Sequence, residues 1–138
     1  YMMDDAEEAI IIIGSSAGTA KEAIQNLRAQ GKKVGLIKIR SFRPFPAEDI
    51  AEALKNVKAF AAMDKDDSFN AHCGPIYAET CASLYAAGIS APKGISYIYG
   101  LGGRDVRVES IKKVFAELAD IAATGDVGEH TRYLDVRA

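Results

Sequence analysis

Short, near-continuous apolar runs alternate along the chain with stretches whose apolar residues recur every three or four positions. The runs are Ala9–Ile13, Val34–Ile39, Ala59–Met63 and Ile95–Tyr99. Each is strand-length, and none alternates with polar residues. Strands covered on both faces, as in a parallel sheet, read this way. Between and after them lies the helical period. Ala20, Ala23, Ile24 and Leu27 follow it, as do Ile50, Leu54 and Val57 after Pro46. Tyr77, Cys81 and Leu84 follow it after Pro75, and Ile111, Val114, Phe115, Leu118 and Ile121 form the longest stripe. The prolines suit a first helical turn, and Gly31 and Gly88 stand where helices should stop.

The order is β-α-β-α-β-α-β-α. It predicts an α/β fold of three layers, a doubly wound and largely parallel sheet with right-handed crossovers. The tail 124–138 is polar and contains glycine. It is expected to hold a short edge strand at Tyr133–Val136 or to cross to another domain or subunit. Residues 1–138 are expected to form a single domain.

Composition narrows the function classes. Of 138 residues, 49% are hydrophobic and 26% charged, which suits a packed core. A net charge of -2 gives no electrostatic case for nucleic acid or an anionic membrane. No apolar run approaches the ~20 residues that span a bilayer. The opening, with Asp4, Asp5, Glu7 and Glu8, is acidic where a secretory signal is basic. A first residue of Tyr1 suggests a piece of something longer. Cys73 and Cys81 have no metal or redox spacing, as expected of free thiols in a reducing cytoplasm.

In a parallel sheet the loops leaving strand carboxyl ends share one edge. Here they are Gly14–Thr19, Arg40–Pro46, Asp64–Gly74 and Gly100–Arg107, and they hold most of the unusual residues. Gly14, Ser15, Ser16, Gly18 and Thr19 join a strand to a helix, where backbone N–H groups can hold an anion. The turn lacks the ending of a P-loop. A tight turn with an N-cap from Ser15, Ser16 or Thr19 explains it as well. Gly100, Gly102 and Gly103, followed by Arg104 and Asp105, fail the dinucleotide fingerprint at position 105. They fit close approach by another chain or plain turn geometry.

The carboxylates Asp64, Asp66 and Asp67 do not continue as a calcium loop, since Phe69 and Pro75 stand where Gly and Glu belong. A solvated loop is the expected reading. His72 beside Cys73 brings no orienting acid with it, and His130 stands alone. Lys38, Arg40 and Arg43 flank a proline-rich turn and read as structural. No catalytic residue and no metal site is assigned.

Several stretches together resemble a known family. Ser41, Phe42, Arg43, Pro44, Phe45 and Pro46 are similar to the Arg-Pro-Phe-Pro signature of transketolase-like carboxy-terminal domains. Asp5-Ala6-Glu7, the turn Gly14–Thr19 and the strand entry Gly31–Leu36 resemble the α subunit of 2-oxoacid:ferredoxin oxidoreductases of the pyruvate synthase type. So does Ile98–Asp105, the most specific stretch. The match runs from about Tyr1 to about Leu118. Two positions depart from it: Arg107-Val108-Glu109 replaces Thr-Pro-Glu, which leaves Asp105 as a substitute cap, and Asp64-Lys65 replaces Asp-Arg.

The resemblance implies the transketolase carboxy-terminal fold and a scaffolding, interface role. It also implies a whole enzyme that oxidatively decarboxylates a 2-oxoacid such as pyruvate to its acyl-CoA. That enzyme passes electrons to ferredoxin and uses thiamine diphosphate, Mg2+, iron–sulfur clusters and coenzyme A. Those groups are expected outside this domain, and the implied partners are the other α-subunit domain and β-, γ- and δ-type subunits. Two readings compete with this one. One is the same domain in a transketolase or an E1-type dehydrogenase. The other is a free-standing flavodoxin-like ligand-binding module.

Overall fold

The computed structural model describes residues 3, 5–13, 17–39, 46–65, 75–99, 107–128 and 131–133. Strands and helices alternate as β1 (Glu8–Ile13), α1 (Ala17–Ala29), β2 (Val34–Ile39), α2 (Ala47–Leu54), β3 (Ala59–Lys65), α3 (Pro75–Ala86), β4 (Lys93–Tyr99), α4 (Val108–Thr124) and β5 (Thr131–Tyr133). The sheet runs β2-β1-β3-β4-β5, with all neighbours parallel. This is the α/β architecture the apolar runs imply. The edge strand falls at Thr131–Tyr133, two residues before the expected start.

Both faces of the sheet are covered, which is why its strands need no polar alternation. Ile10, Ile12, Leu36, Ala61, Met63, Ile95 and Tyr97 point to the layer of α1 and α4. Ala9, Ile11, Ile39, Phe60 and Ala62 point to the layer of α2 and α3. The stripe Ile111, Val114, Phe115, Leu118 and Ile121 is fully inside, as its period requires. Gly31 and Gly88 close α1 and α3 at φ of 85° and 74°. Each is followed by a residue whose N–H bonds back into the last turn: Lys32 to Leu27 at 3.1 Å and Ile89 to Leu84 at 2.9 Å.

One expectation is corrected, the hand of the crossovers. From β1 to β2 the chain steps one way, with α1 on one face. From β2 to β3 and from β3 to β4 it steps the other way, with α2 and α3 on the other face. Reversing both direction and face keeps the hand. From β4 to β5 the direction is unchanged but α4 lies on the α1 face, so this last crossover has the opposite hand. Such reversals are rare. The cause is coverage: α4 packs on α1, β1 and β3, over a face that α1 alone would leave half open.

In α3 the stripe Tyr77, Cys81 and Leu84 lies on the core side, with Leu84 buried and Tyr77 and Cys81 half-buried against it, and Ile76, Thr80 and Ser83 are buried beside them. Ile76 and Leu84 anchor the helix on the sheet, and the short hydroxyl side chains between them let it lie close.

Candidate functional site

The strand order places a topological switch point between β1 and β3. From there one chain segment leaves toward β2 and the other toward β4. In doubly wound sheets the crevice at the carboxyl ends of these strands is the favoured ligand position. The anion-turn residues Gly14, Ser15 and Ser16 lie outside the described residues. So do Gly100, Gly102, Gly103, Arg104 and Asp105, as well as Arg40, Arg43, Asp66, Asp67, His72, Cys73 and His130. Gly18 and Thr19 are placed, and both sit inside α1. Thr19 is the third residue of that helix and so is not its N-cap. Lys38 is exposed on β2.

Asp64 is the chemically distinctive group at the switch point. It is the penultimate residue of β3 and pairs with Ile98 of β4. Only 4% of it is exposed, so the solvated-loop reading of this carboxylate is wrong. Its Oδ1 accepts the Ile76 N–H at 2.9 Å, and its Oδ2 accepts the Tyr77 N–H at 3.4 Å. These are orphan donors of the first turn of α3. A buried carboxylate is tolerable here because it meets backbone donors and the positive end of a helix. The amino terminus of α3 is thus occupied by the protein's own anion.

The starts of α2 and α4 lack such a cap. Pro46 precedes α2 and Arg107 precedes α4, neither with a side-chain capping bond. Pro46 stands at the N-cap itself, one residue before the first turn. Asp105, the expected substitute cap of α4, is outside the described residues. Thr80 lies one turn into α3, and its Oγ1 is a buried atom with no hydrogen-bond partner among the described residues.

The described cavities lie at the opposite, amino edge of the sheet. One of about 440 Å³ is walled by Phe60, Tyr77, Cys81, Tyr85, Pro92 and Gly94. Its floor depends on Gly94. A Cβ there would meet Phe60 Cζ at 2.3 Å, so the ring lies across the strand only because position 94 is bare. Tyr77 sits beside that ring, with centroids 6.3 Å apart, and its hydroxyl donates to the Gly94 carbonyl at 3.3 Å. A second cavity of about 400 Å³ is walled by Val57, Ile121 and Gly125, with Lys55, Lys58 and Lys93 among its lining.

Among the described residues no group of His, Cys, Asp and Glu converges on a metal position. The two cysteines of the sequence fall short of the thiolate set a cluster needs. No described helix is long and apolar enough to cross a membrane.

What the fold defines is a doubly wound α/β domain with its switch point between β1 and β3. The sequence comparison then fixes its kind. Residues 6–111 match the family described as pyruvate:ferredoxin oxidoreductase core domain II, and the chain belongs to that family. It is 42% identical over 137 residues to the pyruvate synthase subunit PorA of Methanosarcina barkeri, covering 99% of this chain and 34% of that protein. It is 46% identical over 117 residues to the alpha subunit of the NADH-dependent phenylglyoxylate dehydrogenase of Aromatoleum evansii, covering 85% and 28%. Against the ketoisovalerate oxidoreductase subunit VorA of Pyrococcus furiosus it is 40% identical over 125 residues, covering 91% and 31%. The chain spans about a third of the length of these curated relatives.

Proposed function

We propose that this chain is the scaffold and interface domain of the α subunit of a 2-oxoacid oxidoreductase, and a piece of a longer polypeptide. The observation that carries this reading is the 42% identity to a pyruvate synthase subunit across 99% of the chain. The whole enzyme would work in the cytoplasm, decarboxylate a 2-oxoacid and form its acyl-CoA. It would pass two electrons to ferredoxin or, as the name of one relative suggests, to a nicotinamide. Thiamine diphosphate, Mg2+ and iron–sulfur clusters would be bound by other domains or subunits, because the sequence carries neither a cysteine run for a cluster nor a diphosphate-magnesium signature.

In this reading Gly100, Gly102, Gly103, Arg104 and Asp105 meet a neighbouring domain or subunit at the carboxyl edge. Arg104 offers a planar fork of donors to a carboxylate or carbonyls there. In the same reading the stretch Gly14, Ser15, Ser16, Gly18 and Thr19 would offer backbone N–H groups to an anion. The test is to purify the complex containing this chain and assay coenzyme-A-dependent viologen reduction with pyruvate, 2-oxoisovalerate and phenylglyoxylate. Turnover with at least one substrate is expected, and none from the 138-residue chain alone. A complex inactive on all of them would overturn the reading.

A further inference from the structure

Helix α3 differs from its neighbours in what it shows to solvent. The exposed positions of α2 are Glu48, Asp49 and Glu52. Those of α1 include Glu22, Gln25 and Asn26, and those of α4 include Glu109, Lys113 and Asp120. Among the described side chains of α3, the exposed ones are Ala78, Ala82, Tyr85 and Ala86. Its hydroxyls, Thr80 and Ser83, are turned inward instead. A helix that packs one side on the sheet and presents small and apolar residues on the other has the pattern of a helix covered on both sides.

The face has relief as well as composition. Ala78, Ala82 and Ala86 repeat every fourth residue and form one shallow row. Tyr85 stands beside that row, 88% exposed, an unusual position for a large hydrophobic side chain. Next to it opens the cavity of about 440 Å³, whose walls include Phe60, Cys81 and Pro92. A shallow row, a projecting ring and an adjacent apolar hole are what a packed neighbour requires. Among the described residues lining the cavity Lys93 alone is charged, so the contact is apolar rather than electrostatic. Interfaces that are never dissolved have this character.

The length of the relatives names the occupant. This chain accounts for about a third of them, so a larger mass of the same polypeptide has to pack somewhere. We infer that the outer face of α3 and its cavity seat another part of the same longer polypeptide, which inserts an apolar side chain between Tyr85 and Pro92. The inference rests on the reading of this chain as part of a longer subunit. It assigns a contact face distinct from the carboxyl-edge loops.

The test uses the full-length subunit in its native complex. Tyr85→p-benzoylphenylalanine and, separately, Ala82→p-benzoylphenylalanine are irradiated, with Ala123→p-benzoylphenylalanine on exposed α4 as the control. Mixed heavy and light protein separates links within one chain from links between copies. Links from position 85 or 82 to the same polypeptide, outside these 138 residues, are expected, with none from position 123. Links to a second copy, links to a different subunit, or no links from either position would overturn the inference. Substrate-dependent viologen reduction by the same preparations reports on the enzyme reading separately. An active complex without the intrachain link therefore removes the docking face and leaves the function standing.

Discussion

Asp64 Oδ1 accepts the backbone N–H of Ile76 at 2.9 Å across a separation of 12 residues. The bond joins the end of β3 to the first turn of α3 and fixes both ends of the loop between them. Asp64 thus ties the carboxyl end of a strand at the switch point to the helix that follows it. Removing it strands buried donors. Asp64→Ala should destabilise the domain by about 1–3 kcal/mol, with Asp64→Asn costing less because one acceptor remains. Chemical denaturation of the two variants checks the order. Equal losses would show that the bonds to α3 contribute nothing.

The 138-residue chain should unfold in a single cooperative transition. Its two apolar layers close around one sheet within the described residues, and its length is ordinary for one domain. A thermal melt followed by circular dichroism measures this. A broad, non-cooperative melt would mean that the remaining polypeptide is needed for folding.

Gly94 and Phe60 should behave as a pair. Gly94→Ala places a methyl group in the Phe60 ring and should cost about 1–3 kcal/mol by overpacking. Phe60→Leu should recover part of that loss when the two are combined. A double-mutant cycle measures the coupling. Strict additivity would show that the ring escapes without meeting position 94.

The carboxyl of Glu8 should make stability fall with rising pH in the acidic range. Burial raises its pKa above 4.5, and the charge of Glu7 adds to this against Lys58 and Lys32. The folded state therefore holds the proton more tightly than the unfolded one. Its contribution is fully present below 4.5 and is lost as pH rises through the folded pKa. Asp5 acts in the opposite sense, because its hydrogen bond to Arg28 lowers its pKa below 3.8. Its contribution is present above that value and is lost as pH falls through the folded pKa. Glu8→Gln should remove the falling component, so melting temperatures of the variant and parent should diverge as pH rises from 4 to 7. Parallel curves would rule out this role for Glu8.

Gly102→Val should harm assembly of the full complex more than folding of the isolated chain. The expectation follows from three glycines in four residues beside Arg104. Size-exclusion profiles of the complex, set against melts of the chain, separate the two effects. Normal assembly would place that loop in solvent.

Much of the architecture is legible in the residues. Ile10, Ile11 and Ile12 cannot all be buried unless helices cover both faces, so the apolar runs imply a sandwich before any coordinates exist. Gly31 and Gly88 mark their helix ends because the closing turn needs a positive φ. The role of Asp64 was hidden, since its partners lie across a loop and its neighbours Asp66 and Asp67 suggest a solvated cluster. The α3 stripe Tyr77, Cys81 and Leu84 is legible by its period, but the burial of Thr80 and Ser83 beside it is not, because hydroxyl residues read as polar. Hydropathy alone does not choose between two faces when both are apolar. The hand of the last crossover was illegible for a related reason: it depends on which layer lacks a helix, a property of the whole sheet.

That last crossover sets an order of events during synthesis. Once β4 has been made, the α2 and α3 layer is complete, but the opposite face has only α1. Ile12, Ala61, Met63, Ile95 and Tyr97 wait for Val114, Phe115 and Leu118 to arrive. A nascent chain halted before Val108 would therefore display a broad sticky surface. The final helix acts as the lid of the core, and a ribosome stalled inside it would leave the domain dependent on chaperones.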